Sequence, residues 1–238
     1  MNNLPTMRTI ARIHSDFPTK FGIPRQSGLV EALQASIVFE PEYRSPDALR
    51  GLEGFSHLWL IWQFSKSLRE TWSPTVRPPR LGGNTRMGVF ATRSPFRPNA
   101  IGLSCVALKG IRETAEYGTV LDVSGADLMN GTPIFDIKPY IPYADCHPEA
   151  TGGFTDHTDE FLLEVDIPPN LQTRIPPNRL DALLGVLSHD PRPSYQHAPD
   201  RIYGMSFAGM NVRFQVSGHR LTVIDISPER NSNHGQDS

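Results

Sequence analysis

The segment from Arg86 to Ser104 constrains the fold most, because it places a stiff polar loop between two apolar runs. It reads RMGVFATRSPFRPNAIGLS. The residues after Arg86 predict a short strand that includes Val89 and Phe90, and a second apolar run begins at Ile101. Prolines at positions 95 and 98 lack a backbone N–H and hold the residues before them extended, so the loop between the runs is expected to be rigid.

This rigid loop carries two arginines, an aromatic ring and an amide: Arg93, Phe96, Arg97 and Asn99. Such a set suits a site for an anion that bears a planar group, because arginine pairs with anions and rings stack on planar groups. A proline-rich connector with solvated arginines explains the same residues. The segment alone leaves both interpretations open.

The rest of the chain predicts a mainly β protein. It contains roughly ten short apolar or alternating segments bounded by Gly, Pro or Asn. One apolar stripe of leucines between Asn178 and His189 predicts a helix that ends before Asp190-Pro191. Many short strands and little helix favour a barrel or a sandwich with a small α+β appendage. No glycine-rich phosphate loop follows a strand, so a doubly wound nucleotide fold is not expected.

Basic residues are concentrated in one part of the chain. Thr71 to Arg112 holds seven of the 23 lysines and arginines and none of the 25 acids, although the whole chain has a formal charge of −2. This distribution is expected where a polyanion docks at one place, and chance clustering on a solvated face is the alternative. The two cysteines form no metal-binding motif, and no apolar run is long enough to cross a bilayer, so we expect no metal and no membrane association.

A second candidate site lies around Asn130-Gly131, which is a strong signal for a type I′ hairpin turn. Beyond it, Asp136, Lys138 and Tyr140 alternate and therefore share one face of a predicted strand. A plain hairpin with solvated charges is the alternative. His57, at the start of an apolar strand, is more simply a structural residue than a catalyst.

Four sequence blocks closely resemble the TsaA-like (YaeB, TrmO) family: KFGIPRQSGLV, RGLEGFSHLWLIWQF, RPPRLGGNTRMGVFATRSPFRPNAIGLS and DLMNGTPIFDIKPYIPYAD. The resemblance implies a tRNA methyltransferase that uses S-adenosylmethionine and methylates N6 of N6-threonylcarbamoyladenosine, next to the anticodon of threonine tRNAs. It also implies an N-terminal β-barrel instead of a Rossmann fold, and a homodimer with the cofactor near the subunit interface.

The resemblance also implies site residues. The positions that match cofactor-contacting parts of the family are Pro24, Arg25, Gln26, Phe64, Ser65, Arg93, Leu103, Asp127, Leu128, Met129, Asn130 and Gly131. The family often has histidine where this chain has Ser65, and aspartate is commoner than Asn130. At Ser65 the resemblance therefore implies a contact through the backbone, and Asn130 removes one negative charge near the sulfonium.

The chemistry of the implied reaction suggests further roles. The acceptor nitrogen belongs to a urea and must lose its proton, so we assign the general base to Asp136, with Tyr140 or His57 as substitutes. Lys138 or Arg97 would stabilise charge on the urea oxygen, and Arg97 or Arg192 would bind the threonyl carboxylate. Three arginines would contact tRNA phosphates, namely Arg77, Arg80 and Arg86, and Arg192 is also assigned to RNA binding.

We therefore expect four parts in the chain. Residues 1–150 form the barrel with the cofactor and catalytic sites, 151–177 a strand and a proline-rich linker, 178–228 a small α+β domain, and 229–238 a disordered tail. The chain lacks a signal peptide at its start, so a cytoplasmic location is expected. A non-catalytic RNA- or nucleotide-binding barrel, or a methyltransferase for a small molecule, are the alternative functions.

Overall fold

The structure, a computed structural model, describes residues 7–157, 162–192 and 201–229, except for the side chains of Arg80 and His157. Its strands are β1 (Ala11–His14), β2 (Gln34–Phe39), β3 (His57–Gln63), β4 (Thr75–Val76), β5 (Met87–Gly88), β6 (Ile101–Thr114), β7 (Gly118–Ser124), β8 (Pro133–Pro139), β9 (Glu164–Asp166), β10 (Ile202–Phe207), β11 (Met210–Ser217) and β12 (Arg220–Pro228). Its α-helices are α1 (Pro142–Asp145), α2 (Pro169–Gln172) and α3 (Leu180–Ser188).

Short 3₁₀ turns connect these elements at Pro41–Tyr43, Pro46–Leu49, Leu52–Gly54, Pro79–Leu81, Val89–Ala91, Gly153–His157 and Pro177–Arg179. The expectation of a mainly β protein is confirmed. Within the described residues, no helix is long and apolar enough to cross a membrane.

Six strands close into a barrel in the order β1–β2–β7–β6–β3–β8, because β1 pairs with both β2 and β8. Side chains alternate between the inside and the outside of this barrel, as the period of a strand requires. On β3, for example, Leu58, Leu60 and Trp62 are buried inside, and the residues between them lie on the outer surface. The barrel interior is therefore one continuous apolar core.

A second core lies under a four-stranded sheet with the order β10–β11–β12–β9. The leucine stripe forms α3 as expected, and Leu183 and Leu187 are fully buried against this sheet. The stretch expected to be a linker contributes four buried side chains to the same core, namely Leu163, Ile167, Leu171 and Ile175.

The segment between β1 and β2 (residues 15–33) joins the two cores. It leaves the barrel after His14, and its side chains Phe17, Val30 and Leu33 are buried in the core of the C-terminal sheet. The Phe17 ring lies 5.3 Å from that of Phe207, and the backbone N–H of Ala208 donates to the carbonyl of Asp16 at 2.8 Å. We call these residues the β1–β2 segment.

The hairpin predicted at Asn130-Gly131 is wrong. The flanking strands β7 and β8 do not pair with each other, since β7 lies between β2 and β6, and β8 lies between β1 and β3. Only Gly131 has a positive φ, +76°, whereas a type I′ turn needs positive φ at both central residues. The backbone N–H groups of Asn130 and Gly131 instead donate to the carbonyls of Phe17 and Ile13.

The strand predicted after Arg86 is shorter than expected, because β5 ends at Gly88 and a 3₁₀ turn covers Val89–Ala91. Val89 is buried, and its N–H donates to the carbonyl of Pro74 at 2.9 Å. The turn leaves the Phe90 ring exposed. The expected disordered tail lies outside the described residues except for Glu229.

Candidate active site

A cavity of about 480 Å³ opens where the β1–β2 segment, the end of β3 and the start of β6 meet. The rigid loop identified from the sequence forms another of its walls. The lining residues are Lys20, Ile23, Pro24, Arg25, Gln26, Trp62, Gln63, Phe64, Ser65, Lys66, Ser67, Thr92, Arg93, Pro95, Arg97, Ile101, Gly102, Leu103, Asp127, Met129 and Thr132. A volume of this size suits a cofactor-sized ligand.

The cavity brings together nine of the twelve positions assigned to the cofactor: Pro24, Arg25, Gln26, Phe64, Ser65, Arg93, Leu103, Asp127 and Met129. Leu128, Asn130 and Gly131 do not line it. Leu128 is fully buried in the barrel core, and the side-chain oxygen of Asn130 accepts a hydrogen bond from the N–H of Ser15 at 3.2 Å. The carbonyl of Gly131 accepts from Arg12 at 3.1 Å.

Asp127 is the one acidic residue among the described side chains that line the cavity. The Ser104 hydroxyl donates to its Oδ1 at 2.6 Å, and the Trp62 indole N–H donates to the Ser104 oxygen at 2.9 Å. Burial raises the pKa of Asp127 above its ordinary value, and the Ser104 hydrogen bond and the nearby charge of Arg93 act in the opposite direction. The cavity therefore holds a carboxylate that retains a proton more readily than a solvated one.

Two arginines on the rigid loop have different surroundings. The Nη1 of Arg93 donates to Gln26 Oε1, which ties the loop to the β1–β2 segment. The Nη1 of Arg97 donates to the carbonyls of Thr92 at 2.6 Å and Val89 at 3.2 Å, and so braces its own loop. Both guanidinium groups are held by neutral oxygens, so their positive charges remain available to an anion.

Three of the four residues assigned to catalysis lie outside the cavity. Asp136 and Lys138 share the outer barrel face, as their alternation predicts, with Oδ2 and Nζ 3.0 Å apart. The Tyr140 ring lies 5.8 Å from Trp59 and 6.2 Å from His57 on the same side, and burial is the largest cause that raises the pKa of Tyr140. Arg97 is the member of the set that lines the cavity.

The arginines assigned to RNA binding also differ in their exposure and in their partners. Arg77 and Arg86 are exposed near the β4–β5 pair, and the side chain of Arg80 lies outside the described part of the chain. The Arg192 side chain is 9% exposed, and its Nε and Nη2 donate to the Asp190 carboxylate at 2.8 Å each. This ion pair leaves Arg192 unsuited to binding a substrate carboxylate, because the guanidinium already has a bidentate partner.

Three polar residues that line the cavity had no predicted role: Lys20, Lys66 and Ser67. The Lys20 ammonium donates to the Ser67 hydroxyl at 2.8 Å and to the carbonyl of Lys66, so it joins the β1–β2 segment to the end of β3. Lys20 is the first residue of the block KFGIPRQSG, and this position could have indicated that it lies at the site. In the described residues, no cluster of His, Cys, Asp or Glu has the arrangement of a metal site.

Two models of one protein family match the chain. The model of the tRNA-methyltransferase O N-terminal domain matches residues 12–146, which contain the barrel. The model of the TrmO C-terminal domain matches residues 162–229, which contain the four-stranded sheet.

Individual proteins match over nearly the whole chain. The tRNA (adenine(37)-N6)-methyltransferase of Escherichia coli (strain K12) is 39% identical over 228 residues, covering 92% of this chain and 96% of that protein. RcsF of Pseudomonas aeruginosa, provisionally named an S-adenosylmethionine-dependent methyltransferase, is 41% identical over 226 residues, with 92% of this chain and 96% of that protein covered. A crystal structure of TrmO from Pseudomonas aeruginosa superposes with a TM-score of 0.75 at 32% identity, covering 94% of this chain and 98% of that chain.

The barrel, its cavity and these matches define an S-adenosylmethionine-dependent tRNA methyltransferase of a class that does not use the doubly wound fold. Within this class, the chain belongs to the tRNA-methyltransferase O family.

Proposed function

We propose that the protein methylates N6 of adenosine 37 in threonine tRNAs, where the adenosine already carries the threonylcarbamoyl group. The observation that carries the proposal is the cavity, which combines three arginines, one carboxylate and apolar walls at the edge of the acid-free segment. The Escherichia coli relative is named for N6 methylation of adenine 37. The threonylcarbamoyl group and the threonine tRNAs rest on the sequence resemblance.

The residues of the cavity fit S-adenosylmethionine, which supplies the methyl group when bound. Arg93 would bind the methionyl carboxylate, because a guanidinium pairs with a carboxylate through two parallel hydrogen bonds. Leu103 and Ile101 offer an apolar wall for the adenine ring. Asp127 provides negative charge for the sulfonium. Each of these assignments rests on side chains that line the same cavity.

We also propose that Asp127, and not Asp136, accepts the N6 proton. Methylation of a urea nitrogen requires a base within hydrogen-bond reach, and Asp136 lies on the outer barrel face in an ion pair with Lys138. The raised pKa of Asp127 makes it a stronger base than a solvated carboxylate. Since Arg192 is paired with Asp190, Arg97 remains the candidate for the threonyl carboxylate.

A homodimer also belongs to the proposal. A homodimer is favoured by the apolar side chains on the outside of β6, where Leu103 is 55% exposed and Ile101 is 38% exposed. Because both also line the cavity, a partner there would lie next to the cofactor.

We place the catalytic domain at residues 12–146 and the C-terminal domain at 162–229, and we assign the protein to the cytoplasm.

The function is tested by mass spectrometry of nucleosides from the tRNA of a strain that lacks the gene. We expect the N6-methylated threonylcarbamoyladenosine to disappear and to return when the gene is restored on a plasmid. An unchanged nucleoside profile contradicts the proposal. Purified protein incubated with S-adenosylmethionine and unmodified or threonylcarbamoylated threonine tRNA then identifies the substrate form.

Two matched variants test the base. At saturating cofactor, Asp127→Asn is expected to lower kcat about a hundredfold or more, the usual contribution of general-base catalysis. Asp136→Asn, which removes the charge of a carboxylate outside the cavity, is expected to keep nearly wild-type kcat. The opposite result would assign proton transfer to Asp136 and leave Asp127 a binding role.

A further inference from the structure

An exposed group of aromatic and arginine side chains lies beside the cavity. The Phe90 ring is 72% exposed and Trp72 is 51% exposed, and Phe96 is 36% exposed. Aromatic rings of this size are seldom left in water together, because each buries a large apolar area when it finds a partner. We call Arg69, Trp72, Phe90 and Phe96 the aromatic–arginine surface.

The members of this surface are close enough to act together. The rings of Trp72 and Phe90 have centroids 6.1 Å apart and planes inclined by 32°. The Arg69 guanidinium lies 3.7 Å above the Phe96 ring, and that of Arg97 lies 5.8 Å from the centre of Phe90. Planar guanidinium groups and rings in this arrangement present several faces on which further planar groups can stack.

The surface continues directly from the cavity. Thr92, Pro95 and Arg97 line the cavity, while Phe90 and Phe96 belong to the same loop and lie between or beside them in the chain. On the other side, Ser67 lines the cavity, and Arg69 follows two residues later. A ligand that enters the cavity with one planar group can therefore place its neighbouring groups on this surface.

The charge around the aromatic–arginine surface indicates which kind of molecule binds it. Glu70 is exposed between Arg69 and Trp72 in the sequence, but no acid occurs from Thr71 to Arg112, and Arg77 and Arg86 are exposed within this stretch. A second copy that packed this patch against itself across a two-fold axis would bring positive charges together, because such an interface is self-complementary. A polyanion with planar groups matches both the rings and the charge.

We propose that the aromatic–arginine surface stacks the unpaired bases of RNA next to the base that enters the cavity. The proposal deepens the proposed function and rests on it, since the RNA is the tRNA substrate and the bases belong to its anticodon loop. Single-stranded bases stack on exposed rings and arginines without needing a particular sequence. The surface therefore holds the loop open, and the cavity holds the target base.

Alanine variants of the exposed rings test this proposal, because removing an exposed side chain leaves the fold intact. We expect Phe90→Ala and Trp72→Ala each to weaken tRNA binding by about tenfold, as loss of one stacked base does. The Kd for S-adenosylmethionine is expected to stay within twofold of wild type. The matched control is Tyr143→Ala, which removes a ring that is 90% exposed on α1, and its tRNA affinity is expected to be unchanged.

The salt dependence separates stacking from charge. In Phe90→Ala, the slope of log Kd against log salt concentration is expected to equal that of wild type, because no phosphate contact is lost. In Arg77→Ala, the slope is expected to become shallower by about one. A labelled single-stranded RNA of about seven nucleotides serves as a second probe, and its binding is expected to need Phe90 and Trp72.

The outcomes distinguish this proposal from the proposed function. If the wild type methylates threonine tRNA and the ring variants bind tRNA like wild type, the stacking proposal is overturned and the function stands. If the wild type does not methylate tRNA but binds the short RNA through Phe90 and Trp72, the function fails and the stacking surface stands. A dimer that dissociates in Trp72→Ala, with RNA binding unchanged, would assign the surface to a second copy of the chain.

Discussion

At the scale of single residues, Asp127 shows how side chains of the barrel core hold a cavity residue in position. Its carboxylate accepts from Ser104, which is 1% exposed and accepts in turn from the Trp62 indole. Trp62 projects into the barrel core, so the position of the carboxylate is fixed by core packing instead of by a mobile loop. A donor that is itself held in place reduces the reorganisation needed when charge develops nearby.

The raised pKa of Asp127 predicts a specific dependence of stability on pH. The native state holds this proton more tightly than the unfolded state, so the stability contributed by Asp127 falls as pH rises above its ordinary pKa of 3.8. Asp127→Asn removes this dependence and retains an oxygen for Ser104. We therefore expect the melting temperature of the variant, relative to wild type, to increase as pH rises.

Melting curves of both proteins from about pH 3.5 to pH 7.5 measure this difference. Other carboxylates contribute equally to both curves and cancel in the comparison. A difference that stays constant with pH, or that falls as pH rises, would contradict the buried position of the Asp127 carboxylate.

At the scale of elements, most of the segments that line the cavity could be predicted from the sequence. The distant residues against which these segments pack could not. The run that begins at Ile101 and the apolar run before Gln63 were identified as strands, and both are present as β6 and β3. A turn is present at Asn130-Gly131, but the type I′ hairpin predicted there is not, because β7 and β8 do not pair with each other. Its packing against Ile13 and Phe17 depends on residues more than a hundred positions away, which no local pattern encodes.

The pairing of β3 with β6 explains why residue 102 is glycine. Gly102 lies opposite Trp62, and a Cβ at Gly102 would lie 2.3 Å from the indole ring. Gly110 on the same strand has no atom within 4 Å of such a Cβ. The two glycines therefore lie on the same strand and differ in the room available for an added Cβ.

We expect Gly102→Ala to lower the free energy of unfolding by about 1–3 kcal/mol, because the indole must shift to admit the methyl group. The matched substitution Gly110→Ala is expected to change it by about 0.5 kcal/mol or less. Urea denaturation of both variants measures the two values. Equal costs at the two positions would show that the indole does not restrict Gly102.

At the scale of the whole molecule, the two cores share the β1–β2 segment. Gly22 of this segment packs on Met205 of β10 so closely that a Cβ at Gly22 would lie 2.1 Å from the Met205 sulfur. Nearby, Arg179 Nε lies 3.0 Å from Asp16 Oδ2. The C-terminal sheet therefore packs against and supports the β1–β2 segment, which also contributes Arg25 and other residues to the cavity.

Two methionines of the C-terminal core test this support. Met205→Ala and Met210→Ala each remove a buried side chain and are both expected to cost about 2–5 kcal/mol of stability. Only Met205→Ala is expected to weaken binding of S-adenosylmethionine, by about tenfold, because the atoms nearest to a Cβ built at Gly22 all belong to Met205. Calorimetric titration at a temperature where both variants remain folded measures the two affinities, and equal affinities would contradict the support.

The sharing of the β1–β2 segment has a consequence for protein synthesis. A ribosome makes residues 15–33 well before their packing partners on β10. The barrel strands can pair first, because β8 is complete well before β10 emerges. One wall of the cavity therefore takes its final position only after β10 has been translated, and nascent chains lack a finished binding site until then.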